Sequence, residues 1–71
     1  MRRAILEALR TRYEAEIAEA DATANIYLEN SVGIGEHPQH IEEVNKQIEK
    51  IANAKEKLAV LEEFEPERSV L

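Results

Sequence analysis

The placement of glycine and proline restricts the fold of this 71-residue chain more than any other feature. Glycine and proline occur at four positions, Gly33, Gly35, Pro38 and Pro66. Both residues interrupt helices, glycine through its backbone freedom and proline through its missing N–H group. We therefore predict two helices, over about 3–29 and 38–64. We expect a loop over 30–37 between them, in which Gly33 or Gly35 has a positive φ angle, and a loose tail over 65–71.

Each predicted helix carries a row of apolar side chains at helical spacing. The first row is Leu6, Leu9, Tyr13, Ile17, Ala20, Ala24 and Leu28. The second row is Ile41, Val44, Ile48, Ile51, Ala54, Leu58, Leu61 and Phe64. The average spacing of the second row is about 3.3 residues, shorter than the 3.6-residue helical turn. We expect this row to drift around the helix and to widen its buried face.

Two helices of similar length joined by a short loop predict an all-α fold, an antiparallel two-helix hairpin. The charges agree, because four arginines lie at the start of the first helix and four glutamates near the end of the second. They are Arg2, Arg3, Arg10, Arg12 and Glu62, Glu63, Glu65, Glu67. Exposed pairs of this kind contribute only a few tenths of a kcal/mol, so we expect them to select orientation.

Small residues at heptad spacing suggest which surfaces meet. The two sets are Ala8, Ala15, Ala22 and Asn45, Ala52, Ala59. Such rows let helix backbones approach closely, which predicts a thin seam bordered by larger side chains. The alternative is that alanine is present because it favours helix.

A chain this short is marginally stable alone and usually needs a staple. It has no cysteine, so oligomerisation is the expected staple. A lone hairpin is expected to leave a partly exposed apolar strip, which we predict as the interface: Leu9, Tyr13, Ile17, Ile48, Ile51 and Leu58. We predict a homodimer or larger homo-oligomer, with a dimeric four-helix bundle favoured.

Charge and hydropathy restrict the other partners. The formal net charge is −6, which argues against nucleic acid and anionic membrane surfaces. No apolar run is long enough to span a bilayer, and Glu7 interrupts the signal-like start of the chain. A cytoplasmic location is therefore expected, and a protein partner remains open.

One cluster has metal-ligand residue types, His37, His40 and Glu43, at i, i+3 and i+6. Histidine with carboxylate suits zinc. The ordinary explanation is polar residues at an exposed helix start, and we expect no metal here. No phosphate-binding motif or nucleophile–base pair is present, so we expect no cofactor and no enzymatic activity.

The segment from Tyr27 to Ile41, with its Gly33-Ile34-Gly35-Glu36-His37-Pro38 core, resembles small uncharacterised proteins of marine bacteriophages. The similarity spans about residues 24–64, with Ser31 at a position where proline is expected. The resemblance implies a phage or environmental origin and transfers no functional residue. The hairpin is also similar to the Rop-type dimeric bundle in architecture alone, and fold does not imply function.

Three functions follow as hypotheses. The first is a small structural or interaction protein that self-associates and acts as a phage accessory or adaptor. The second is a regulator that binds and inhibits a host protein through an acidic helical face. The third, a metal-binding module, rests on the cluster around His40.

Overall fold

The computed structural model describes residues 1–29 and 39–65, and both parts are helical. Helix α1 spans Arg2–Glu29 and helix α2 spans Gln39–Leu61, followed by a 3₁₀ turn at Glu62–Phe64. The described residues contain no β-strand, in agreement with the predicted all-α class. The predicted loop over 30–37, with its glycine turn, and the tail beyond residue 65 lie outside the described residues.

The two helices pack side by side in opposite directions. At one end, the Arg2 guanidinium donates a hydrogen bond to the carbonyl oxygen of Phe64. At the other, the rings of Tyr27 and His40 meet edge to face with their centroids 6.0 Å apart. The start of α1 therefore lies beside the end of α2, which confirms the antiparallel packing. Arg2 is unfavourable at its own helix N-terminus, but it satisfies a carbonyl at the end of the neighbouring chain segment.

The contact between the helices is built mainly from alanine. Among the described residues, the buried apolar side chains are Ala20, Ala24, Ala54 and Leu61, and no larger side chain is completely buried. On α2 the contact follows a heptad row, in which Gln47, Ala54 and Leu61 are all buried. This hairpin therefore removes little apolar surface from water, and each buried alanine contributes only about one methyl group.

The predicted heptad seam is wrong in its choice of alanines. Its six members, Ala8, Ala15, Ala22, Asn45, Ala52 and Ala59, are all exposed. At about 100° per residue, Ala15 lies roughly opposite the side of α1 that carries Ala20 and Ala24. Turning the Leu and Ile row toward the neighbouring helix buries more apolar surface than turning the small-residue row inward.

The end of α2 also differs from the prediction. The last turn is a 3₁₀ turn, and Glu65 leaves helical geometry with φ −122° and ψ 71°. Pro66 follows Glu65 in the sequence, and a following proline disfavours α conformation. Glu65 is part of the predicted loose tail, but it is buried, with 7% of its surface exposed. The packed part of the hairpin therefore extends one residue beyond the helical turns.

The drift of the second apolar row has a larger effect than widening the buried face. From Ile41 to Phe64 the row takes seven steps over 23 residues, which falls short of seven turns by about 0.6 turn. Its two ends therefore leave the helix contact, and Ile41 and Phe64 are 76% and 51% exposed. Neither described helix is long and apolar enough to cross a membrane.

Candidate interaction surface

Large apolar side chains are exposed along both helices. Within the described residues they are Met1, Ile5, Ile26, Leu28, Ile41, Ile48, Val60 and Phe64. Single exposed apolar side chains are normal, but contiguous groups mark interaction sites. Six of these eight are aliphatic residues on the helices, and several gather in two grooves.

The first groove, here called the terminal groove, lies where the start of α1 meets the end of α2. Its walls include Leu6, Leu9, Tyr13, Val60, Leu61 and Phe64. The Lys57 ammonium lies 5.4 Å from the centroid of the Tyr13 ring, within the range of a cation–π interaction. This contact closes the inner end of the groove with a positive charge.

The second groove, here called the loop-end groove, lies where the end of α1 meets the start of α2. Its walls include Tyr27, Leu28, His40, Ile41, Val44 and Ile48. Leu28, Ile41 and Ile48 are each more than half exposed. This groove is therefore also apolar, but it is at the opposite end of the rod from the terminal groove.

The two grooves open on opposite flanks of the hairpin. On α2 the buried row of Gln47 and Ala54 faces α1. Ile48 follows Gln47 by one residue and lies about 100° to one side, whereas Lys50 follows it by three and lies about 60° to the other side. We call these sides the isoleucine flank, with Ile41 and Ile48, and the lysine flank, with Lys50, Lys57 and Phe64.

A charged groove continues the lysine flank inward from the terminal groove. It is lined by Glu16 and Glu19 of α1 and by Lys50, Asn53 and Lys57 of α2. Lys57 lines both grooves, so the apolar and charged parts form one surface. The acids all come from α1 and the lysines all come from α2. This segregation is not among the sequence predictions, although Lys50, Lys57 and Phe64 stand at heptad spacing.

One ion pair fastens the terminal end of the hairpin. The Arg10 guanidinium donates to the Glu65 carboxylate, and the two side chains are only 15% and 8% exposed. The predicted attraction between the arginine-rich start and the glutamate-rich end is thus present, but this pair is largely buried. Burial raises both the attraction and the desolvation cost, and the buried Arg10 Nε has no partner in the described part of the chain.

The predicted interface residues are divided between these surfaces. Leu9 and Tyr13 line the terminal groove, whereas Ile48 lines the loop-end groove. Ile17, Ile51 and Leu58 are half-buried. The predicted strip is therefore interrupted, because its two ends lie on different flanks.

Two of the three metal-ligand candidates, His40 and Glu43, lie in the described part of the chain. His37 lies outside the described residues. His40 is half-buried against Tyr27, whereas Gln39, Ile41 and Glu42 beside it are exposed. Glu43 instead pairs with Lys46 at 3.4 Å. Over residues 1–29 and 39–65, no three His, Asp or Glu side chains lie close enough together to hold a metal ion.

Comparison with protein-family models, with curated proteins and with solved structures finds no match to this chain.

Proposed function

We propose that this protein is a small, non-enzymatic interaction protein of the cytoplasm that self-associates into a dimeric four-helix assembly. The observation that carries the proposal is the poor core of the single hairpin. Three of the four buried apolar residues in the described chain are alanines, while residues as large as Ile41 and Leu28 are 76% and 64% exposed. A second hairpin supplies the missing apolar layer.

The exposed side chains support the same proposal. Five of the eight exposed large apolar residues of the described chain line the two grooves: Leu28, Ile41, Ile48, Val60 and Phe64. Grouped apolar side chains of this kind mark interaction sites. A second copy of the hairpin offers the same apolar surface in return.

Sedimentation equilibrium tests self-association directly. Matched variants are available, because Phe64 of the terminal groove, Ile48 of the loop-end groove and Ile26 outside both are 51%, 55% and 54% exposed. Replacement of each by glutamine removes a similar apolar contact at a similar folding cost. We expect wild type and Ile26→Gln to have twice the chain mass, and at least one groove variant to dissociate. A wild-type chain that stays monomeric at all concentrations contradicts the proposal.

The biological role that fits such a protein is that of a phage accessory or adaptor. The resemblance of the segment from Tyr27 to Ile41 to bacteriophage proteins supports this setting. The net charge of −6 favours protein partners over nucleic acid.

A second function, regulation of a host protein, is favoured by the loop-end groove. The described residues 21–29 and 39–49, which surround it, carry five acids and one lysine. An apolar groove in an acidic setting suits an amphipathic helix with a basic face. This function is favoured if the wild-type chain and Ile26→Gln both capture one defined host protein and Ile48→Gln does not. Equal capture by all three chains would argue against it.

A further inference from the structure

The lysine flank has an order of charges that suits a second copy of the same chain. Along the charged groove, Glu16 and Glu19 stand on α1 opposite Lys50 and Lys57 on α2. None of these four side chains forms an ion pair with another described residue. Lys57 contacts the Tyr13 ring, but no described residue of opposite charge neutralises any of the four, so a partner with the same pattern in exchanged positions can pair with them.

The terminal end of the hairpin repeats this segregation with the opposite sign. Residues 1–12 of the α1 side contain four arginines and one glutamate, and residues 56–65 of the α2 side contain four glutamates and one lysine. Arg10 and Glu65 satisfy each other within the hairpin. Other charges at this end lie away from the lysine flank, because Glu62 lies on the same side of α2 as Ile48 and Arg3 on the same side of α1 as Leu28.

A twofold axis parallel to the rods satisfies the charge pattern of the charged groove. Such an axis places α1 of one copy against α2 of the other at the same height along the rod. Glu16 and Glu19 then meet the partner's Lys50 and the partner's Lys57. The two terminal grooves then cover each other.

The alternative arrangements are disfavoured by the same charges. An axis across the rods places α1 on α1 in opposite directions, so that acids meet acids if the axis passes through the charged groove and arginines meet arginines if it passes through the terminal end. Pairing through the isoleucine flank brings together two halves that each carry five acids and one lysine over residues 21–29 and 39–49. Like charges facing each other suppress such contacts.

We propose that two copies pair through the lysine flank as parallel hairpins, with the terminal grooves as the apolar contact and the charged grooves as the alignment device. This inference rests on the proposed self-association and specifies its surface and orientation.

Charge reversal tests the surface. One variant combines Glu16→Lys with Glu19→Lys, and a second combines Lys50→Glu with Lys57→Glu. Each is expected to raise the dimer dissociation constant at least about tenfold, because like charges then face each other. An equimolar mixture is expected to form a heterodimer close to wild-type affinity. This rescue also shows that both variants fold, and circular dichroism gives their helix content.

A matched control uses lysines of the same helix. Lys50 and Lys55 are both exposed, but Lys55 lies about 140° away around α2, on the isoleucine flank. Lys50→Glu is expected to weaken the dimer and Lys55→Glu to leave it unchanged. Added salt is expected to weaken the wild-type dimer by screening.

Distances between spin labels test the orientation. The chain has no cysteine, so Ala8→Cys and Ala22→Cys each give a single labelling position on an exposed residue of α1. Parallel hairpins give similar distances between the two copies at both positions. Antiparallel overlap of the terminal grooves lengthens the Ala22 distance by about 30 Å relative to the Ala8 distance, and that result would overturn the proposed orientation.

The outcomes separate this inference from the proposed function. Suppose that wild type and both charge-reversal variants dimerise, but Ile48→Gln is monomeric. The lysine flank is then not the contact, and self-association still stands. If wild type is monomeric at every concentration, both fail. Dimerisation lost on either charge reversal and restored by mixing supports the inference.

Discussion

Substitution of Ala54 by leucine is the sharpest test of how the two helices pack. Ala54 has 0% of its surface exposed, so a leucine there must push the helices apart or adopt a strained rotamer. Overpacking of this kind costs about 1–3 kcal/mol. Leucine is itself a good helix former, so the loss measures packing. For a small domain, a loss of about 2 kcal/mol lowers the melting temperature by roughly 8–16 °C.

The matched control is Ala52→Leu, two residues away on the same helix. Ala52 is exposed, and surface substitutions usually change stability by less than about 0.5 kcal/mol. Thermal unfolding of both variants and wild type, followed by circular dichroism at one protein concentration, gives the comparison. If Ala52→Leu destabilises the protein as much as Ala54→Leu or more, the assignment of the helix contact to the Ala54 row is wrong.

Three further predictions concern single side chains. Glu65→Gln should lower the free energy of unfolding in urea by about 2 kcal/mol, because it leaves the largely buried Arg10 charge uncompensated. This value lies between those for surface and buried ion pairs. An unchanged urea midpoint would show that the pair contributes nothing. Gln47→Leu should raise the melting temperature, since it removes a buried amide whose desolvation costs about 1–3 kcal/mol; a lower melting temperature would show that the amide makes a needed hydrogen bond. Calorimetric titration with zinc should give no heat of specific binding at His40, whereas stoichiometric binding lost in His40→Ala would establish the metal site.

The helices and their direction were accessible from the sequence because strong local signals determine them. Glycine and proline limit where helices continue, and the predicted start and end of the first helix differ from Arg2–Glu29 by at most one residue. A short loop between two helices of similar length predicted an antiparallel pair. The segregated arginines and glutamates agreed with it, and the contact between Arg10 and Glu65 confirms their attraction. Such signals depend on residue type and order alone.

The choice of contact row was not accessible in the same way. Alanine occurs both in the exposed row of Ala8 and Ala15 and in the buried positions Ala20 and Ala24. Spacing shows that each set lies on one side of a helix, but it does not show which side faces the neighbour. That choice depends on how much surface the larger residues bury when the helices meet.

The sequence contains the signal for dividing the apolar surface into two grooves, but the prediction drawn from that signal is wrong. The short spacing of the row from Ile41 to Phe64 was expected to widen one buried face. Over the length of α2 the drift instead carries the apolar row from the isoleucine flank to the lysine flank. Counting the total rotation, about 0.6 turn, predicts this outcome.

The charged groove required the structure, because its members come from different helices. Glu16 and Glu19 meet Lys50 and Lys57 only when the register between α1 and α2 is known. The sequence supplies heptad spacing for the two lysines, but that spacing alone does not identify the acids opposite them.

The concentration dependence of thermal unfolding tests self-association most directly. If folding and dimerisation are coupled, the melting temperature rises with protein concentration. With about 0.7 kcal/mol of unfolding enthalpy per residue in a dimer of this chain, the expected rise is about 5 °C for each tenfold increase in concentration. A melting temperature that stays constant over a hundredfold range, together with the sedimentation mass of a single folded chain, would contradict the proposed function.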